Sequence, residues 1–120
     1  MKNKNNVGVI GESIAAAELV KAGYKIIKRN YHSRYGEIDI IATNKNILAF
    51  VEVKTRTSLT YGEPKEAVTF KKQQKIKKTA LDYILKLKDD YFLSFDVCEI
   101  LLDKRTLKLK AFNHIKNAFY

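Results

Sequence analysis

Two short segments decide the fold of this chain: GEIDII at residues 36–41 and FVEVKTR at residues 50–56. Both are rich in isoleucine, valine and phenylalanine and alternate with a period of two, which is typical of β-strands. The polar run TNKN between them predicts a tight turn, so the segments form a hairpin. On the first strand, alternation places Glu37 and Asp39 on one side and Ile38 on the other, together with the isoleucine at position 40.

The charged residues of this hairpin fall on one predicted face. On the second strand, Glu52 and Lys54 share a side, and the valines take the opposite side. A two-residue turn at positions 44–45 would pair Glu37 with Glu52 across the hairpin and leave Asp39 diagonal to Glu52. Because like charges that face each other destabilise a sheet, this cluster of acids requires a cation.

A divalent metal ion would meet that requirement. Carboxylate oxygens without a companion histidine or cysteine suit Mg²⁺ or Mn²⁺ rather than Zn²⁺, so Asp39 and Glu52 are the predicted metal ligands. Lys54 lies two residues beyond Glu52 on the same face, where a lysine can hold a water molecule or stabilise charge on a phosphate. The pattern indicates phosphodiester chemistry. The alternative is that these charges, with Glu37, form the solvated face of an ordinary hairpin, and spacing alone leaves both interpretations open.

Composition favours a nucleic-acid partner. The chain has 120 residues without a break in composition, which predicts one domain spanning residues 1–120. Its net charge is +10, so an anionic partner is expected, and a basic surface is typical of proteins that bind nucleic acid. A single cysteine, Cys98, excludes an intramolecular disulfide and favours a buried thiol in a reducing cytoplasm. No run of about 18 apolar residues is present, so we expect no membrane partner.

The rest of the chain predicts two helices and three further strands. Apolar periodicity predicts a first helix that Gly23 ends and a second helix that Thr69 caps. The predicted elements outside the hairpin are helices at about 7–21 and 70–88 and strands at 24–31, 92–102 and 107–112.

Several charged residues outside the hairpin have two possible roles. Glu12 lies off the apolar stripe of the first helix, where it is either a solvated charge or a fourth carboxylate beside the sheet. Lys71 and Lys75 belong to a group of lysines in the first turns of the second helix, where they oppose the helix dipole. Phosphate contacts would explain them, and so would a lysine-rich face that maintains solubility. Arg34 and Arg56 are further candidates for contacts with a phosphate backbone.

Asp96 is flanked by apolar residues, and a partly buried acid requires a partner. It either pairs with a lysine or arginine or adds to the metal cluster. His114, in the tail after the last predicted strand, is expected to start a helix or to pack. Neither it nor His32 has the spacing of a metal ligand or the partner of a catalytic nucleophile.

These residues resemble known nucleases. An acid on a helix, an acid on a strand and a Glu-x-Lys on the next strand are similar to the PD-(D/E)xK arrangement, with Asp39 as the strand acid and residues 52–54 as the Glu-x-Lys. The ordered set of motifs more closely resembles the bacterial YraN family of predicted endonuclease-like proteins. The segments that carry this resemblance are Gly11-Glu12 with Ala16 and Ala17, Arg29-Asn30-Tyr31, Gly36-Glu37-Ile38-Asp39, Phe50-Val51-Glu52-Val53-Lys54 with Arg56, Glu66-Ala67-Val68 and Phe95-Asp96-Val97.

The resemblance implies an α/β fold like that of Holliday-junction resolvases and restriction enzymes, in which a mixed central sheet is flanked by helices. It implies Asp39 and Glu52 as metal ligands, Lys54 as the catalytic lysine and Glu12 as a supporting acid, while Glu37 belongs to the motif without an assigned role. Some resolvases of this superfamily act as dimers, so the resemblance allows a homodimer. The chain departs from the family pattern at Ser94, often basic in the family, and at Phe70, usually proline.

The sequence therefore predicts a Mg²⁺- or Mn²⁺-dependent endonuclease that acts on DNA, branched or otherwise structured. The alternative is a nucleic-acid-binding or complex-assembly module that keeps the nuclease fold without turnover. A binder directed to RNA is a third interpretation, but the sequence lacks the exposed aromatic pairs of known stacking platforms.

Overall fold

A computed structural model of the chain describes residues 6–57 and 68–120. The described elements, in chain order, are α1 (Asn6–Lys21), β1 (Lys25–Ser33), β2 (Gly36–Asn44), β3 (Ile47–Arg56), α2 (Phe70–Ile84), β4 (Phe92–Leu102) and β5 (Leu109–Phe119). The predicted loop around Pro64 and the motif residues Glu66 and Ala67 lie outside the described residues.

The five strands form one mixed sheet in the order β1-β2-β3-β4-β5. Strands β3 and β4 are parallel, and the other neighbouring pairs are antiparallel. Parallel neighbours need a crossover connection, and α2 lies in the segment that joins β3 to β4. The α/β fold with a mixed central sheet and flanking helices is confirmed.

Helices cover both faces of the sheet. The α1 side is a hydrophobic cluster that includes Ala15 and Leu19 of the helix and Val51 of β3. The α2 side includes Ile76 of the helix and Phe50 of β3. Successive residues of β3 therefore enter opposite cores. The expectation that the central hairpin has one apolar and one charged face is wrong, because the hairpin lies in the middle of a sheet that is buried on both sides.

Helix α1 lies close to β3 at Gly11. A Cβ atom at this position would lie 1.9 Å from the Oγ1 atom of Thr55, so the helix could not keep this distance with any larger residue. Gly8, one turn earlier in the same helix, is different, because a Cβ atom there would meet nothing within 4 Å. Gly23, with φ of +101°, follows the end of α1 as predicted.

In the second half of the chain, α2 and β5 end at residues other than those predicted. Thr69 caps α2 as expected, since its side chain accepts a hydrogen bond of 3.1 Å from the backbone of Lys72, but the helix ends at Ile84 rather than near residue 88. Strand β5 continues to Phe119, so of the two expected roles of His114 the helix start is wrong, and packing is confirmed by its edge contact with the Tyr24 ring. Polar and apolar residues alternate only weakly in this segment, but pairing with β4 and burial of Phe119 stabilise it as a strand.

Cys98 is a free and buried thiol, as predicted. Within residues 6–57 and 68–120, neither helix is long and apolar enough to cross a membrane.

Candidate active site

The register of the β2–β3 hairpin sets the positions of the acids. Asn44 is opposite Ile47 and Ile40 is opposite Val51, so the turn falls at positions 45–46, one residue later than predicted. Lys45 adopts the left-handed conformation there, with φ of 57°. The predicted pairing of the acids at positions 37 and 52 across the hairpin is therefore wrong.

The observed register brings the two predicted metal ligands together. Backbone pairing between β2 and β3 ends at Ile40 and Val51, and Asp39 and Glu52 occupy the next positions. Beyond that point the Oδ2 atom of Asp39 accepts a hydrogen bond of 2.7 Å from the backbone N–H of Val53. A side chain thus continues the contact that a backbone carbonyl makes elsewhere in the ladder, and it fixes the Asp39 carboxylate beside β3.

Asp39 also lies where β2 changes sides. Ile38 belongs to the core under α2, while Ile40 belongs to the core under α1, although the two residues are only two positions apart. Asn30 of the neighbouring strand falls between the pairs that join β1 to these isoleucines, and it has φ of 55°. Asparagine tolerates this left-handed conformation better than most residues. The prediction that both isoleucines face one side is wrong, because regular alternation is interrupted at this position.

The carboxyl of Asp39 titrates far from its ordinary range. Its pKa is raised to about 7, chiefly by burial and next by the neighbouring charge of Glu52. The hydrogen bond from Val53 acts in the opposite direction, and the more distant charges of Glu12 and Glu37 raise the pKa further. The other three predicted site acids, Glu52, Glu12 and Glu37, therefore act on the Asp39 carboxyl, through a strand register that differs from the predicted one.

Lys72 forms an ion pair with one of the two carboxylates and was not predicted as a site residue. Its Nζ atom lies 3.2 Å from the Oε2 atom of Glu52, which is buried. Burial lowers the pKa of Lys72, but the charge and hydrogen bond of Glu52, with Asp39 and Glu37, outweigh it and leave the pKa raised. One signal was present in the sequence: Lys72 lies one turn before Ile76 on the apolar stripe of α2, so it must face the sheet.

Glu12 and Glu37 occupy the border of the site. Glu12 is half-buried and lies 3.7 Å from the Nη2 atom of Arg29, and burial raises its pKa while hydrogen bonding to Asn30 lowers it. It is therefore held against β1 rather than freely solvated. Glu37 is exposed, and its Oε1 atom lies 3.4 Å from the Nδ1 atom of His32.

The donor set for a metal ion consists of two carboxylates. Among the residues that the structure describes, no group of three or more histidine, cysteine, aspartate or glutamate side chains could hold an ion. Mg²⁺ is usually bound through one or two protein carboxylates, with water and substrate phosphates as the other ligands. Asp39 and Glu52 fit that pattern, since they are adjacent, oxygen-bearing and mutually repulsive.

The predicted lysine and arginine residues are spread around this pair. Lys54 is half-buried, follows Glu52 by two positions on β3 and lies opposite Glu99 of β4. Arg56 is half-buried at the end of β3. The exposed positions are Arg34 in the β1–β2 turn and Lys71 and Lys75 on α2. Gly36, the first residue of β2, lies against Lys75, because a Cβ atom there would be 3.6 Å from the lysine Cβ.

Asp96 belongs to a separate polar cluster. It is fully buried and accepts hydrogen bonds from the hydroxyl of Ser94, from the backbone of Asn117 at 3.1 Å and from the Nε2 atom of His114 at 2.8 Å. Burial opposes ionisation, but the bonds from His114 and Ser94 outweigh it and lower the pKa of Asp96. Of the two predicted roles, structural pairing is correct, although the partner is a histidine instead of a lysine or arginine.

The family model of the uncharacterised protein family UPF0102 matches residues 11–100. The chain belongs to UPF0102. This is the YraN family, so the resemblance predicted from the sequence is confirmed.

Relatives in UPF0102 match nearly the whole chain. A UPF0102 protein of Caldanaerobacter subterraneus subsp. tengcongensis is 52% identical over 118 residues, which cover 98% of this chain and 97% of the relative. UPF0102 proteins of Clostridium botulinum strains Loch Maree and 657 are 46% and 45% identical over 116 residues, which cover 95% of this chain and 94% of each relative. The family match begins at Gly11, the residue at which α1 approaches β3.

Proposed function

We propose that this UPF0102 protein is a metal-dependent endonuclease that hydrolyses phosphodiester bonds in DNA. The observation that carries the proposal is the pair of adjacent carboxylates, Asp39 and Glu52, at the point where β2 leaves β3. Two acids whose charges repel each other in a partly buried site create a strong local demand for a cation. Such a pair inside a protein of net charge +10 is what a site for a metal ion and a phosphate requires.

Asp39 and Glu52 would hold a Mg²⁺ or Mn²⁺ ion. When bound, such an ion supplies positive charge for a phosphate and acidifies a water molecule. The hydrogen bond from Val53 orients the Asp39 carboxylate, and Lys54, on the next same-side position of β3, would position the attacking water. Glu12, held by Arg29, would support the site from α1.

Basic residues outside the carboxylate pair would contact the DNA backbone. Arg34, Lys71 and Lys75 are exposed, and Lys75 lies beside the first residue of the strand that carries Asp39. Arg56 follows Glu52 on the same strand. Duplex or branched DNA bound by these residues would have its phosphates near the carboxylates. We propose that the nuclease acts in the cytoplasm, as a monomer or a dimer.

One observation favours a second candidate function. Lys72 already pairs with Glu52 at 3.2 Å, so the protein supplies part of the positive charge that a metal ion would provide. A domain that relies on this internal cation would bind nucleic acid or assemble a complex without turnover. The two functions differ in whether Lys72 competes with a metal ion or replaces it.

Metal binding and cleavage separate these functions. We expect Mn²⁺ to bind the purified protein in calorimetry, with loss of binding in Asp39→Asn and Glu52→Gln and unchanged binding in Glu18→Gln, a matched change in a carboxylate that pairs with Lys21 on α1. A panel of single-stranded, duplex and branched DNA should be cleaved with Mn²⁺ or Mg²⁺. Lys54→Ala should abolish cleavage but retain DNA binding.

Substitution of Lys72 by methionine gives the sharpest contrast. If Lys72 competes with the ion, Lys72→Met should raise the affinity for Mn²⁺. If the protein binds DNA, takes up no Mn²⁺ in either form and cleaves no substrate of the panel, the endonuclease proposal is wrong and the binding module is correct.

A further inference from the structure

A cleft lies between the β1–β2 turn and α2, with a volume of about 650 Å³. The turn contributes Arg34 and Tyr35, and the helix contributes Lys78 and Leu81, with its C-cap Leu85 at the end. Neither Asp39 nor Glu52 lines this cleft, and no pattern in the sequence predicted it.

The cleft has an unusually exposed apolar wall for a protein with this much charge. Leu81 is 56% exposed, Leu85 is 77% exposed and Tyr35 is 38% exposed. Single exposed apolar residues are ordinary on protein surfaces, but three that converge on one concave site are a sign of binding. The sequence alone suggested no aromatic stacking site, because Tyr35 acquires apolar neighbours only through the packing of α2 beside the turn.

Two cations are held at the aromatic side of the cleft. The guanidinium carbon of Arg34 lies 5.1 Å from the centroid of the Tyr35 ring, and the Nζ atom of Lys78 lies 5.9 Å from it. Arg34 also donates a hydrogen bond of 3.0 Å to the Tyr35 hydroxyl. These contacts are of the cation–π type and place two positive charges beside the Tyr35 ring.

Among the described residues that line the cleft, Asp82 is the one acid, and it is already paired. Asp82 accepts a hydrogen bond of 2.6 Å from the Tyr31 hydroxyl and lies 3.8 Å from the Nζ atom of Lys86. Its charge acts on both Lys86 and Arg34, and with Arg34 and Lys78 against this one acid the described lining of the cleft is positive as well as apolar. A ligand that matches it carries a negative charge next to a flat apolar group, and a nucleotide has both.

We propose that this cleft binds an unpaired nucleotide of a DNA strand, with the base against Tyr35, Leu81 and Leu85 and the phosphate at Arg34 and Lys78. A base within a duplex is stacked and paired and cannot enter such a cleft, so the site selects single-stranded segments. This inference rests on the proposed function as a DNA-directed enzyme and specifies its substrate.

The position of the cleft relative to the carboxylates narrows the range of DNA structures that would fit as substrates. Gly36 starts β2 directly after the turn, and Asp39 follows three residues later, which corresponds to roughly 10 Å along a strand. Ser33, also in the cleft, is tied to α2 by a hydrogen bond of 3.2 Å between its hydroxyl and that of Thr79. The unpaired nucleotide would therefore lie within a few nucleotides of the scissile phosphate, as at a junction between duplex and single strand.

Fluorescence anisotropy in EDTA tests this inference without cleavage. The probes are a labelled oligothymidylate of about 12 nucleotides and a labelled duplex of the same length. We expect Tyr35→Ala to weaken binding of the single strand by roughly 10-fold, and Tyr35→Phe to retain most of it, because an aromatic ring supplies the base contact. Lys75→Ala, which removes a cation outside the cleft, should weaken both probes by a similar factor.

Three results would overturn the inference in distinguishable ways. If Tyr35→Ala weakens both probes equally or neither probe, the cleft does not select an unpaired base, while the nuclease proposal stands on its metal and cleavage data. If the unmodified protein binds neither probe at low salt, the proposed function fails together with the inference. If a poly-glutamate peptide displaces the single strand at equal charge concentration and Tyr35→Ala abolishes peptide binding, the occupant is an acidic peptide.

Discussion

Replacement of Asp39 by asparagine should make the protein more stable at alkaline pH. The pKa of Asp39 is raised from 3.8 to about 7, first by burial and then by the charge of Glu52. Ionisation of this carboxyl therefore opposes folding. An asparagine has nearly the same shape, and its side-chain oxygen can still accept the hydrogen bond that Val53 donates, so the substitution removes the charge and keeps the contact.

The pKa values give the size and sign of the effect. Between pH 4 and 7 the folded protein keeps a proton on Asp39 that the unfolded chain has lost, so the contribution of this group to stability falls as pH rises through this window. At about 1.4 kcal/mol per pH unit, the difference corresponds to about 4 kcal/mol above pH 7. Partial exposure of the side chain to solvent reduces this figure, and we expect about 2–4 kcal/mol.

Urea denaturation in EDTA, followed by circular dichroism at several pH values between 4 and 8, measures this effect. The free energy of unfolding of Asp39→Asn should equal that of the unmodified protein near pH 4 and exceed it by about 2–4 kcal/mol at pH 8. Glu18→Gln, which changes a carboxylate in an ion pair on the surface of α1, should differ by less than about 0.5 kcal/mol at every pH.

Magnesium ions provide a second arm of the same experiment. At pH 8, Mg²⁺ should stabilise the unmodified protein and leave Asp39→Asn unchanged, because only the ionised carboxyl can bind the ion. An asparagine variant that is equally stable or less stable at pH 8 in EDTA would refute the electrostatic reasoning, since it would mean that the ionised Asp39 carboxyl does not oppose folding.

Three further predictions concern other parts of the molecule. Gly11→Ala should destabilise the fold by about 1–3 kcal/mol in urea denaturation, because its methyl group would overlap Thr55, whereas Gly8→Ala in the same helix should be neutral or stabilising. Asp96→Asn should destabilise the protein by about 3 kcal/mol at pH 7, and acid should abolish the difference, because the lowered pKa of Asp96 contributes stability that is lost as pH falls below 3.8. If Lys71 and Lys75 contact phosphates, alanine at each should reduce the salt dependence of DNA binding by about one counterion; an unchanged slope would assign both lysines to solubility.

Much of the fold could be predicted from local pattern. Alternation along residues 36–41 and 50–56 identified β2 and β3, and apolar periodicity identified both helices, because these signals arise within each element. The acids of the site were recognised for the same reason, since a charge in a strand that should be buried is visible in the sequence itself. Thr69 as the N-cap of α2 is a further local signal that the structure confirms.

The features of the structure that were predicted wrongly or missed depend on contacts between elements. The turn of the central hairpin is anchored from outside, since the carbonyl of Asn46 accepts a hydrogen bond of 2.8 Å from the N–H of Phe92 at the start of β4. No pattern within the hairpin contains this contact. Likewise, the extension of β5 through His114 depends on pairing with β4, and the role of Lys72 depends on how α2 lies over β3.

The change of sides at Asp39 has a consequence for how the two helices influence the site. Over most of its area the sheet separates α1 from α2, so each helix contacts its own core. At Asp39 this separation ends: Glu12 of α1 raises the pKa of this carboxyl, and Asp39 in turn raises the pKa of Lys72 on α2. A shift of either helix would therefore alter the protonation of Asp39. At this one position of the sheet, charged groups of the two helix layers act on the same carboxyl.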